Sequence, residues 1–197
     1  MPLNLPVVLA SGSPRRRDLL LELVTDFEIF VPDVDEEALT VADPYATAES
    51  LAQAKARTVF AVRPDSLVIG GDTVVALPLK EGGFTQFSKP TSNADAVKML
   101  TALSGQTHWV ITALCLVWAD GEIVFSDTTK VTFRKLTAKE IKEYVATGIP
   151  MDKAGGYAIQ EGANKFVTSV DGSESTVIGL PTERLIQAFD ELKTKSG

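Results

Sequence analysis

Leu5-Pro6-Val7-Val8-Leu9-Ala10-Ser11-Gly12-Ser13-Pro14-Arg15-Arg16-Arg17-Asp18-Leu19-Leu20 changes character twice along its length. A short apolar run gives way to serine, glycine and proline, after which Leu19, Leu20 and Leu23 recur at helical spacing. Strand, polar turn and helix in this order open an α/β unit. Working outward, residues 27–31 read as a second strand leading into the acidic turn Pro32-Asp33-Val34-Asp35-Glu36-Glu37. Residues 47–62 read as a helix that Arg63-Pro64 ends. Residues 67–69 and 74–77 flank Gly70-Gly71-Asp72-Thr73, which predicts a buried strand interrupted by a glycine-rich bend. Residues 80–89 form a glycine-containing loop or hairpin, and residues 92–103 a helix closed by Ser104-Gly105. Two long β runs, 107–118 and 123–133, are joined by Ala119-Asp120-Gly121-Glu122 as a hairpin. Thr137-Ala138-Lys139-Glu140 is a capping box opening a helix that Gly148 stops, and Pro181 leads a last helix over 182–192. Together these predict an α/β protein with an elongated mixed β-sheet and flanking helices, in a single domain spanning 1–197.

Composition narrows the class. The chain has 197 residues, 45% hydrophobic and 23% charged, an ordinary globular balance with enough apolar residues for a core. Its net charge of −7 argues against broad adhesion to nucleic acid or to an anionic membrane, so any polyanion must meet a local basic cluster. Cys115 lies in an apolar β run and reads as a buried strand residue. The start, from Met1 to Ala10, lacks a basic n-region and is broken by Pro6, which makes it a poor signal peptide. No window reaches the roughly 18 apolar residues of a spanning helix. The expected compartment is therefore the cytoplasm.

Three stretches could carry chemistry. Ser11-Gly12-Ser13-Pro14-Arg15-Arg16 combines close backbone approach, hydroxyl donors, a helix start and guanidinium forks, which suits phosphate; simple helix capping would use the same residues. No Gly-Lys-Ser/Thr follows, so it is not a P-loop. Asp72 puts a carboxylate in an apolar strand, either bonded to its own turn or acting as metal ligand or general base. Glu36, in the acidic turn, could join Asp72 around a hard cation. Asp152-Lys153-Ala154-Gly155-Gly156-Tyr157-Ala158-Ile159-Gln160 has the composition of a binding loop, or of a glycine turn packed over Tyr157. Lys55 and Lys89 read as surface charges unless a cleft gathers them. His108 is the single histidine and is expected to be structural, which argues against a Ser-His-Asp triad or a multi-histidine zinc site. The Ser/Thr-rich residues 168–173 are expected to turn the chain.

Taken in order, Ser11-Gly12-Ser13-Pro14-Arg15-Arg16, Gly71-Asp72-Thr73, Ser88-Lys89-Pro90, Leu103-Ser104-Gly105-Gln106-Thr107-His108, the 152–160 stretch and Val177-Ile178-Gly179-Leu180-Pro181 closely resemble the Maf family of nucleoside triphosphate pyrophosphatases. The resemblance runs over residues 5–192. It implies an ITPase-like fold with two lobes around a long central cleft, a homodimer, and Mg²⁺- or Mn²⁺-dependent cleavage between the α and β phosphates. By the same resemblance Asp72 is the proton acceptor, and Ser11, Arg16, Lys55 and Lys89 are triphosphate-binding and catalytic side chains. Glu36 would be the second carboxylate at the metal, while Arg15, Thr73 and Gln160 would set substrate choice. The 152–160 stretch is similar to the branch acting on dTTP and UTP. An imide edge suits the Gln160 carboxamide, with the Thr73 hydroxyl donating to a neighbouring oxygen. Glu174 departs from the aromatic that this branch commonly carries there. Two other readings stay open: a nucleotide-binding regulator with little turnover, which the resemblance to a family associated with septum inhibition implies, and a metal-dependent phosphatase.

Overall fold

The computed structural model describes residues 5–195; Met1–Asn4, part of the stretch read for a leader, lie outside them. Among the described residues seven strands form one mixed sheet in the order β2-β1-β3-β5-β6-β7, with β4 added to β3. The strands are β1 (Val7–Ala10), β2 (Glu28–Ile29), β3 (Leu67–Pro78), β4 (Phe84–Phe87), β5 (Thr107–Trp118), β6 (Gly121–Phe133) and β7 (Val167–Asp171). β1 runs parallel to β2 and β3, and from β3 onward every pairing is antiparallel. The helices are α1 (Pro14–Leu21), α2 (Pro44–Phe60), α3 (Asn93–Leu103), α4 (Ala138–Ala146), α5 (Glu174–Ile178) and α6 (Thr182–Lys195). Four short 3-10 turns fill the stretch between Ile149 and Phe166. No helix among the described residues is long and apolar enough to cross a membrane.

Local sequence sets the helix starts. Ser13 caps α1 and Pro14 follows, Asp43 accepts from the Tyr45 N–H ahead of α2, and Ser92 accepts from the Asp95 N–H ahead of α3. Thr137 and Glu140 close the expected capping box, and Gly148, at φ 76°, takes up the left-handed conformation just past α4. The β5–β6 hairpin turns tightly, since Trp118 faces Gly121 across it.

Residues 67–78 correct one expectation. They form a single uninterrupted strand, and Gly70 and Gly71 do not bend it. Gly70 is instead a contact point for α2: a Cβ there would stand 2.5 Å from the Ala52 carbonyl oxygen and 2.6 Å from the Ala56 nitrogen. Ala48, Ala52 and Ala56 give α2 the shallow face that allows this approach. The α2 face of the sheet carries Val8, Val68, Val74, Ala76, Ile111 and Ala113. The opposite face splits into two cores. At one end Leu67, Ile69, Leu114 and Leu116 pack with Leu20, Leu185 and Phe189; at the other, Val75, Val110, Val131 and Phe133 pack with Leu100, Tyr144 and Phe166. Residues 168–171 also differ from expectation, being strand, and the turn is confined to Gly172 (φ 130°) and the Ser173 cap of α5. Cys115 and His108 are both fully buried, as read from sequence.

One strand edge positions everything that follows. β1 pairs with β3 only as far as Gly70, and β4 joins the same edge only from Val75. β5 covers the other edge along residues 68–76. Residues 71–74 are thus a notch in the sheet, reached from both of its faces. Neighbouring strand residues point to opposite faces, yet Asp72 and Thr73 line one cavity because no strand divides them on this side.

Candidate active site

An open cavity of about 330 Å³ lies at the notch. It lies just past the carboxyl end of β1, where ligands of open α/β sheets are usually held. Six separate segments furnish its polar walls. Ser11, Arg15 and Arg16 come from the β1–α1 junction and Glu36 from the loop after β2. Lys55 comes from α2, Asp72 and Thr73 from β3, Lys89 from the connection after β4, and Gln160 from a 3-10 turn. Every site residue expected from sequence therefore lines the same cavity. Its lining holds five basic side chains, with Lys153 as the fifth, against three acidic ones, a local reversal of the chain's net charge of −7.

Lys55 is the hub of one wall. Its Nζ stands 2.6 Å from Asp72 Oδ1 and 2.6 Å from Glu36 Oε1. Burial pushes the Glu36 carboxyl up, but the Lys55 hydrogen bond and charge, with Lys89 and Arg16, outweigh this and hold it below the usual range. Two carboxylates thus converge on one positive centre. Hard oxygens of this kind suit Mg²⁺ or Mn²⁺, and no group of three or more metal-ligating side chains occurs among the described residues. A pair of protein carboxylates completed by substrate phosphates is the usual Mg²⁺ arrangement, so the donor set fits such an ion.

Arg16 is anchored through all three nitrogens. Nε donates to the Gly179 carbonyl at 2.8 Å, Nη1 to Ser11 Oγ at 3.1 Å and Nη2 to Thr73 Oγ1 at 2.9 Å. Of its five N–H groups, one on each terminal nitrogen remains for a ligand. Burial lowers the Arg16 pKa, with Asp72 acting against the shift. Gly179 (φ 120°) permits this approach: a Cβ there would lie 3.3 Å from Thr73 Oγ1 and 3.6 Å from Arg16 Nε. Thr73 also bonds Thr112 Oγ1 at 2.9 Å, and Thr112 donates to the Thr176 carbonyl at 2.7 Å. The single Thr112 proton is spent there, so Thr73 is the donor to Thr112. This corrects the sequence expectation that Thr73 donates to a substrate oxygen.

Arg15 engages the opposite wall. Its Nη1 is 3.2 Å from Glu161 Oε1 and 3.7 Å from Asp152 Oδ2. Lys153, only 5% exposed, bonds Asp152 Oδ1 at 2.6 Å, the Ile149 carbonyl at 2.9 Å and Glu161 Oε2 at 3.3 Å. The quartet fastens the 3-10 segment to the start of α1. Beneath it Tyr157 is buried, with its hydroxyl 2.7 Å from His108 Nε2. Lys89 and Gln160 are exposed and make no hydrogen bond with described residues. Sequence reasoning placed Glu161 only in a segment that could shift the pocket wall, and missed Thr112, Thr176 and Gly179 as parts of the site. Of these last three only Gly179, inside a quoted motif, carried a signal; the others are ordinary residues made relevant by pairing across the sheet.

Known proteins resemble this chain in sequence and in fold. A family model described as Maf-like protein matches residues 6–192. A dTTP/UTP pyrophosphatase of Photorhabdus laumondii is 46% identical over 195 residues, covering 96% of each chain. Those of Desulforamulus reducens and Vibrio parahaemolyticus are each 43% identical, covering 93% and 96% of this chain and 95% and 100% of their own. Among solved structures, the Staphylococcus aureus Ham1 protein superposes with a TM-score of 0.51 at 16% identity, covering 94% of this chain and 98% of its own. A HAM1 protein from Coxiella burnetii gives 0.51 at 15%, covering 96% and 99%. These structural likenesses bear on the fold alone.

Proposed function

Because the chain belongs to the Maf-like protein family, we propose that it hydrolyses nucleoside triphosphates, dTTP and UTP foremost, to the monophosphate and pyrophosphate. The observation that carries this reading is the convergence of Asp72, Lys55, Glu36, Arg16 and Lys89 on one basic cavity in an acidic protein. A triphosphate is strongly anionic, and Ser11, the two remaining Arg16 N–H groups and Lys89, which makes no hydrogen bond with the described residues, are suited to its oxygens.

Asp72 supplies the base. One of its oxygens is fixed by Lys55, and the other accepts no hydrogen bond from the described residues, which leaves it for a water molecule. Lys55 keeps the carboxylate oriented while that water attacks the inner phosphorus. Charge building on the bridging oxygen meets cations already in place, and fixed charges of this kind stabilise the transition state beyond the ground state. Glu36 and Asp72 would hold Mg²⁺ or Mn²⁺, whose chemistry there is neutralisation of phosphate charge. Arg15, Thr73 and Gln160 serve substrate choice. A homodimer and a cytoplasmic location belong to the same proposal, checked by light scattering and by cell fractionation.

The test is purified protein with Mg²⁺ against dTTP, UTP, CTP, dATP, GTP and 7-methyl-GTP, with pyrophosphate and orthophosphate scored separately. Pyrophosphate from UTP and dTTP is expected. Orthophosphate from the terminal position would select phosphatase chemistry, and saturable binding without either product would select a regulator.

A further inference from the structure

We propose that Thr112, which is not itself a lining residue of the cavity, is a positioning residue that makes the enzyme selective for bases carrying an imide N–H; this rests on the nucleotide reading above. Thr112 is fully buried, and its hydroxyl sits in a relay whose direction is fixed at both ends. Arg16 Nη2 can only donate, so Thr73 Oγ1 accepts from it at 2.9 Å. The Thr176 carbonyl can only accept, so the Thr112 proton goes there at 2.7 Å. The contact between the two hydroxyls, at 2.9 Å, must then run from Thr73 to Thr112. Facing positions on β3 and β5, Thr73 and Thr112, hold this pair in register.

Thr73 Oγ1 therefore reaches the cavity with no proton to give and one lone pair to offer. A triphosphate presents only acceptors at neutral pH, so it gains nothing from that oxygen. A uracil or thymine ring presents N3–H, whereas the unprotonated N3 of cytosine would face the Thr73 lone pair as a second acceptor. A site whose polar groups meet a mismatched partner discriminates strongly, because the mismatch leaves both desolvated and unpaired. The side chain that touches substrate is Thr73; Thr112 acts through it, by taking the proton that would otherwise turn toward the ligand.

The experiment measures kcat/KM for UTP and CTP in wild type, Thr112→Val and Thr112→Ser. Valine keeps the shape and removes the acceptor, freeing the Thr73 proton to face the cavity, and the UTP-to-CTP ratio should fall about tenfold. Serine keeps the hydroxyl and should preserve the wild-type ratio. An equal loss on both substrates in the valine variant, with the ratio unchanged, would overturn the inference, as would a serine variant that fails to preserve it. If the valine variant does not fold, Thr112→Cys, whose thiol is a weak acceptor, should lower the ratio in the same direction, and an unchanged ratio there overturns it equally. Wild-type protein that releases no pyrophosphate would sink the nucleotide reading instead, which keeps the two failures apart.

Discussion

Asp72 and Glu36 share Lys55, and replacing one carboxylate by its amide separates charge from shape. Asp72→Asn keeps an oxygen for the Lys55 ammonium, so the fold should persist while pyrophosphate release drops by about two to three orders of magnitude. Near-normal turnover with an unaltered circular dichroism spectrum would remove Asp72 from the role of base. Gln160 is exposed and bonds no described residue, so Gln160→Ala sacrifices no internal hydrogen bond. Its thermal unfolding should match wild type while relative rates among UTP, dTTP and CTP change; an identical panel would exclude it from base recognition. At this scale the sequence revealed the kinds of side chain and little of their commitments. The Ser11 to Arg16 motif shows a guanidinium suited to phosphate, yet nothing in its spacing says that all three Arg16 nitrogens are engaged, one of them by Gly179.

Elements were legible where their cause is local. The Thr137 to Glu140 box, the Gly148 stop and the β5–β6 hairpin depend on residues within a few positions, and each formed where its pattern lay. β3 was misread because glycine has two uses, conformational freedom and absence of a side chain, and Gly70 serves the second against α2. Gly70→Ala would drive a methyl into the backbone of two α2 residues, and a loss of about 3 kcal/mol in urea unfolding is expected, at the upper end of overpacking costs. A loss below ~0.5 kcal/mol would mean that α2 shifts freely on the sheet. The notch was illegible for a related reason: it arises where β1 stops and β4 starts on a shared edge, and strand neighbours are set by topology.

For the whole molecule, the buried ring of His108 ties stability to pH. Burial lowers its pKa to about 3, and its Nδ1 is buried with no hydrogen-bond partner among the described residues. In the unfolded chain the ring titrates near 6.5, so from that pH downward the unfolded state binds the proton first. Its contribution to stability is whole above pH 6.5 and shrinks as the pH falls toward 3. Between pH 7 and pH 5 this ring alone should cost about 2 kcal/mol. Urea unfolding of His108→Gln should show a correspondingly flatter pH dependence, and parallel profiles would mean that the ring takes up its proton as readily in the native state as in the unfolded one. Lys55 has a consequence of another kind. Because an ammonium built into the chain already balances Glu36 and Asp72, their mutual repulsion needs no dissolved ion to quench it. Chelator should therefore silence the enzyme while leaving its calorimetric melting curve where it was, and protein purified in EDTA should regain full turnover on adding Mg²⁺, with no refolding lag.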